Sequence, residues 1–128
     1  MSVRREYTPE KIRHLRDNEI FVFGSNLAGH HYGGAAHTAH TKFGAKWGVG
    51  EGITGDCYAF PTLDVAFKKL TDKQLQKAKE RLCGYAEKHP EKKFLLTRLG
   101  CGIAGYPEEK MQMLFATVPF NIVKPKNW

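Results

Sequence analysis

Nine of the 13 glycines fall between Gly24 and Gly55, three fall between Gly100 and Gly105, and both clusters stand directly behind short apolar runs. Glycine loses more conformational freedom on folding than any other residue, so clusters of this kind mark backbone that turns sharply or lies close to a ligand. Ordinary loops are the plainer account of either cluster alone, and a weaker one for the pair. The run before the first cluster, Glu19-Ile20-Phe21-Val22-Phe23, reads as a strand buried on both faces and stopped by Gly24. Lys93-Phe94-Leu95-Leu96-Thr97-Arg98, before the second, is also strand-like.

Around these strands the pattern is largely helical. Thr8 is a natural N-cap and Pro9 suits a first helical position, which predicts a helix over Pro9–Asp17 packed beneath the sheet. Ala35, Ala36, Ala39 and Phe43 lie along one side of a helix predicted over Gly34–Phe43, and Gly44–Asp56 reads as loop. Cys57–Phe60 is a further strand, ended by Pro61, while Leu63–Leu70 fits no single pattern. Thr71 caps the clearest helix, whose stripe of Leu75, Ala78, Leu82, Tyr85 and Ala86 runs out before Pro90. A helix over Pro107–Ala116 and a last strand over Asn121–Val123 complete the order. Strands alternating with helices predict βαβ units: an α/β protein, a three-layer α/β/α sandwich with a mostly parallel central sheet, in one domain spanning residues 1–128.

With 41% hydrophobic, 12% aromatic and 26% charged residues, the chain can supply a core and lacks the apolar poverty of a disordered one. No run approaches the roughly 18 to 20 apolar residues of a membrane span. Met1–Arg16 is charged with no apolar stretch behind it, so a cytoplasmic protein with no signal, anchor or membrane partner is expected. Cys57, Cys83 and Cys101 form an odd set without CxxC or Cys/His spacing, which fits reduced thiols better than a disulfide frame or a zinc knot. Lysine and arginine outnumber the acids 20 to 13, a net +7 that favours an anionic partner.

In an open α/β sheet, ligands bind where loops converge at the carboxyl ends of strands. Three segments meet there in this reading: Gly24–Gly34, Pro61–Asp64 and Leu99–Tyr106. In Gly100-Cys101-Gly102-Ile103-Ala104-Gly105-Tyr106-Pro107 small residues free backbone amides just before a helix, whose N-terminus carries about half a positive charge. Such a segment is a cradle for phosphate. It is not a Walker loop, since no Gly-Lys-Ser/Thr follows, and Gly100-x-Gly102-x-x-Gly105 lacks the acid about 20 residues on that a dinucleotide-binding fold supplies.

The order of Gly24-Ser25-Asn26-Leu27, Gly33-Gly34-Ala35-Ala36, Thr54-Gly55 and Gly102-Ile103-Ala104-Gly105-Tyr106-Pro107 resembles the macrodomains, the ADP-ribose-binding α/β/α folds. The similarity runs from Ile20 to Phe115. It implies ADP-ribose or a related NAD-derived nucleotide as the ligand, with no cofactor. It also implies that Asn26, Gly33 and Gly34 face the distal ribose, that Gly102–Tyr106 wrap the diphosphate, and that Thr54 and Gly55 shape the edge of the site. Macrodomains are usually longer than this chain. Their acid for the adenine amine has only Asp17 or Glu19 as a counterpart, and the Gln-Glu-Glu signature of the poly(ADP-ribose) glycohydrolase branch is absent.

The use made of such a ligand stays open between hydrolysis of an ADP-ribosyl bond, reading of a modified target and sequestration of a free nucleotide. For hydrolysis, Asn26 would position the distal ribose and Glu51, Asp56 or Asp64 would act as general base. Four of the six histidines, His30, His31, His37 and His40, cluster at the first loop and its helix. Donation to an anion suits them better than a metal, because no Cys, Asp or Glu arrives at ligand spacing. Cys101, inside the cradle, would have a lowered thiol pKa, with a small buried residue as the plainer account. Trp47 and Tyr106 sit in glycine-flanked loops where a ring stacks on a base or ribose. Lys73, Lys77 and Arg81 recur every four residues, either a solvated face or the footprint of the alternative partner, nucleic acid.

Overall fold

The structure is a computed structural model and describes residues 7–102 and 104–128. In chain order its elements are β1 (Glu19–Asn26), α1 (Gly34–Lys42), β2 (Gly52–Thr54), β3 (Cys57–Leu63), α2 (Asp72–Lys88), β4 (Lys93–Leu96), α3 (Glu108–Leu114) and β5 (Ile122–Val123). The strands form one sheet in the order β2-β3-β1-β4-β5. β1 lies in the middle, parallel to both β3 and β4, and every residue from Glu19 to Phe23 is buried. Burial on both faces is why its sequence is a continuous apolar run rather than an alternating one.

Alternate side chains of β1 feed two cores. Ile20 and Val22 pack with Phe60, Phe94 and Phe115 and with the α2 stripe of Leu75, Ala78, Leu82 and Ala86. Phe21 and Phe23 pack with Ala39 of α1, with Phe43 at its C-cap, and with Ala59 and Leu95. Each large apolar side chain so buried contributes about 1.5–3 kcal/mol. α2 opens on a capping box: Thr71 Oγ1 accepts from the Gln74 N–H at 3.2 Å, and Gln74 Oε1 accepts from the Thr71 N–H at 2.9 Å.

Three expectations from sequence are corrected. The sheet is mixed rather than mostly parallel, because β2 runs antiparallel to β3. β2 lies inside the stretch read as loop and is too short to carry a pattern; the two residues Gly55-Asp56 fold it back so that Thr54 faces Cys57. Pro9–Asp17 forms no helix. Its expected cap, Thr8, instead donates its hydroxyl to the Val123 carbonyl at 2.8 Å and its N–H to the Lys124 carbonyl at 2.9 Å, and Ile12 is buried in the α1-side core.

Strand ends also shift. β1 continues past Gly24 to Asn26, and β3 continues through Pro61 to Leu63. Proline is tolerated there because β2 pairs only with Cys57–Ala59, leaving that edge of β3 without a partner for the missing N–H. β4 ends at Leu96, after which the Thr97 N–H and hydroxyl both turn onto the Val22 carbonyl, at 3.2 and 2.8 Å.

Candidate functional site

A cleft of about 970 Å³ opens at the carboxyl ends of β1, β3 and β4. Gly24–Asn26, Thr62, Leu63 and Thr97–Gly100 contribute to it from the strand ends, Gly33–Ala36 from the start of α1, and Thr8–Arg13 from the N-terminal segment. Gly24 allows the next loop to come close: a Cβ at this position would lie 3.2 Å from Leu99 Cβ and 3.3 Å from the Gly100 nitrogen. Beside it Ser25 faces Pro61 but Asn26 faces Leu63, so Thr62 is an extra, bulged residue whose hydroxyl donates to the Ser25 carbonyl at 3.1 Å. Bulges of this sort re-aim side chains at the rims of sites.

The cleft is electropositive. Among the described residues, Lys11, Arg13, Lys42 and Arg98 line it, against the single carboxylate of Glu10. The Arg98 guanidinium donates to Glu10 at 3.2 Å, to Glu108, and to the Lys126 carbonyl at 2.9 Å. α1 adds its N-terminus, where Gly33 supplies no side-chain cap and no acid occupies the first turn. Unsatisfied N–H groups at such an end favour an anion. α3 differs: Glu108 and Glu109 stand in its first turn. The indole N–H of Trp128, at 3.0 Å, and Arg98 hold the Glu108 carboxyl below the usual range. The helix end expected to complete a phosphate cradle is thus supplied with its own acids, and the one that faces the cleft belongs to α1.

Of the residues singled out from sequence, Gly24, Ser25, Asn26, Gly33, Gly34, Ala35, Gly100, Gly102 and Ala104 line the cleft together. Ile103 lies outside the described residues. Leu27, Cys101, Gly105, Tyr106, Thr54 and Gly55 are not in its lining. Tyr106 is a core residue, 5% exposed, with its hydroxyl 2.8 Å from the Thr62 carbonyl and 3.2 Å from that of Leu70, so it ties the second glycine loop to the strand rather than stacking on a ligand. Burial, with Glu108 nearby, pushes the Cys101 thiol up, the reverse of the activation expected in a cradle. Thr54 is buried and its hydroxyl accepts from the Lys46 N–H at 2.6 Å.

The carboxylates do not converge on the cleft. Glu51 is ion-paired with Arg81 of α2, at 2.5 Å from Nε and 3.0 Å from Nη2, which also accounts for one member of the basic row on that helix. Asp56 precedes β3 and so stands at the opposite end of the parallel strands. Asp64 accepts from the N–H groups of Ala66 and Lys68, at 2.8 and 3.0 Å, within its own turn. Asp17 and Glu19 lie at the start of β1, about 23 Å along the strand from Asn26. Sequence reasoning missed the cations of Thr8–Arg13, Lys42 and Arg98; only Arg98, at a strand end before the glycines, carried a signal.

A substitution separates the cleft from the fold. A Cβ at Gly102 would meet nothing within 4 Å. Gly102→Val is therefore expected to melt within a few degrees of the wild-type protein while narrowing the cleft and weakening any ligand that reaches this loop. Unchanged affinity in the folded variant would remove Gly102 from the site.

His31 supplies a pH dependence. It is 1% exposed, its Nε2 lies 2.9 Å from the Lys46 carbonyl oxygen, and its ring meets Phe23 edge-on at 5.3 Å. Burial, with His40 and His30 close by, lowers its pKa from 6.5. The unfolded chain then takes up the proton first as pH falls, so the associated stability is whole above about pH 6.5 and declines from there through the lower folded value. Urea midpoints should drop between pH 7.5 and 5.5, and drop less in His31→Gln; equal slopes would show that another group is responsible.

Among the described residues no group of three or more His, Cys, Asp or Glu is placed to hold a metal ion. No described helix is long and apolar enough to cross a membrane. The chain matches no family model, no curated protein and no solved structure.

Proposed function

We propose that this protein binds ADP-ribose or a related NAD-derived nucleotide in the strand-end cleft. The observation that carries the proposal is the lining: among the described residues, four cationic side chains against one carboxylate, joined by a helix N-terminus and by glycine backbone from the loops after β1 and β4. Phosphates are held by such an arrangement through charge-assisted hydrogen bonds and through amides that no side chain shields. Helices on both faces of the sheet agree with the α/β/α arrangement that the macrodomain resemblance implies.

Binding is favoured over hydrolysis, because Glu51 and Asp64 are engaged in their own contacts, Asp56 stands at the opposite end of the parallel strands, and among the described residues Glu10 is the one carboxylate in the cleft lining. Nucleic acid is the weaker alternative, since Arg81 of the basic row already belongs to Glu51. Isothermal titration with ADP-ribose, with AMP and ATP as controls, tests the reading. Heat with ADP-ribose supports it; no heat with any of the three overturns it.

A further inference from the structure

One end of the cleft is built from rings. His30 and Tyr32 come from the loop after β1, Phe67 from the loop after β3, and all three line the cleft. The His30 centroid is 5.7 Å from that of Tyr32 and 5.9 Å from that of Phe67. Behind them Trp47 stacks on His30 at 5.2 Å and 16° and meets Tyr32 edge-on at 4.8 Å. Tyr32 is 74% exposed and Phe67 50% exposed, so neither ring is there chiefly to fill a core.

Their loops are nevertheless held firmly. Asn26 Nδ2 donates to the His30 carbonyl at 2.8 Å and Asn26 Oδ1 accepts from the His30 N–H at 3.0 Å. The Asp64 carboxylate closes the turn that carries Phe67, and the Phe67 N–H donates to the Asp64 carbonyl at 3.0 Å. Phe67 itself is held at φ 62°, the left-handed region that a phenylalanine rarely adopts. Strain of this kind persists only where surrounding contacts over-determine it, and it concentrates at ligand sites.

We infer that His30, Tyr32 and Phe67 form a shelf for the planar heteroaromatic ring of a nucleotide whose phosphate lies among the cationic side chains, with Asn26 and Asp64 as positioning residues. This rests on the nucleotide reading of the cleft and adds which part of the ligand each end takes. Centroids less than 6 Å apart leave no space for a third ring between them, so the base lies across their exposed faces. Asn26, whose amide is hydrogen-bonded to the backbone N–H and carbonyl of His30, positions the residue that carries one of these rings.

The test compares AMP and nicotinamide mononucleotide with ribose 5-phosphate by isothermal titration. The wild-type protein should bind at least one of the two nucleotides roughly tenfold more tightly than ribose 5-phosphate, the size of one stacked base. Phe67→Gly should remove most of that advantage and leave ribose 5-phosphate unchanged. It should also melt no lower than wild type, because glycine adopts the left-handed conformation freely. Tyr32→Ala should act in the same direction. Asp64→Ala should weaken the nucleotides, and Asp64→Asn, whose Oδ1 can accept the same N–H groups, should restore them. Equal affinity for all three ligands, or equal loss of all three in Phe67→Gly, overturns the shelf while leaving the phosphate cleft standing. No binding of any ligand, inorganic pyrophosphate included, overturns both.

Discussion

Gly29→Ala should destabilise the protein by about 3 kcal/mol or more and lower its melting temperature by roughly 10 °C. Gly29 sits at φ 71°, and a Cβ on it would lie 2.3 Å from the Gly48 carbonyl carbon and 2.5 Å from the Val49 nitrogen. Those atoms are backbone, held in place by the Gly48 N–H donating to the Gly29 carbonyl at 2.9 Å, so no side chain can move aside. The loss is a large fraction of a total stability on the order of 5–15 kcal/mol. Gly84→Ala is the control: it lies within α2 with nothing within 4 Å of its Cβ position, and should gain about 0.5–1 kcal/mol. Thermal or urea unfolding measures both, and a Gly29→Ala protein as stable as wild type would mean that these two backbone segments do not cross as described.

Arg98→Met should weaken nucleotide binding by roughly 10- to 100-fold, the worth of hydrogen bonds to a charged group. The substitution keeps the aliphatic stem and removes only the guanidinium. Its ion pairs with Glu10 and Glu108 involve carboxylates that are 78% and 53% exposed, where solvent screens the attraction, so the loss of those contacts should cost little stability. Affinity should therefore fall far more than stability. Glu10→Gln should do the reverse, raising affinity by removing one of the two carboxylates, Glu10 and Glu108, that compete for Arg98. If Arg98→Met binds ADP-ribose as wild type does, the charge of the cleft is not what holds the ligand.

Much of the central sheet was legible because local pattern and burial coincide there. The apolar runs at Glu19–Phe23 and Cys57–Phe60 and the residues Lys93–Leu96 are strands because their side chains are covered on both faces, and α2 begins at Thr71 because a capping box is a property of four consecutive residues. The convergence of Gly24–Asn26, Gly33–Ala35, Gly100 and Gly102 on one cleft was also legible, since glycines behind parallel strands come together at one end of a sheet. The carboxylates were not. Nothing local distinguishes Asp64, which closes a turn, from a general base, or reveals that Glu51 meets Arg81 thirty residues away.

The sequence by itself determined which segments are buried and where the backbone must be unencumbered, because periodicity, caps and glycine steric freedom act over a few residues. Only the tertiary structure decided how distant segments meet. Thr8 leaves a helix start for the carbonyls of Val123 and Lys124, three residues fold back as β2 on the edge of β3, and Arg98 gathers Glu10, Glu108 and Lys126 beside the cleft. His30, Tyr32, Trp47 and Phe67, which come from three separate loops, become one group of rings in the same way. The reason is energetic: a local preference of a few tenths of a kcal/mol per residue is overridden when a long-range contact buries a side chain or satisfies a backbone group worth about 1 kcal/mol or more.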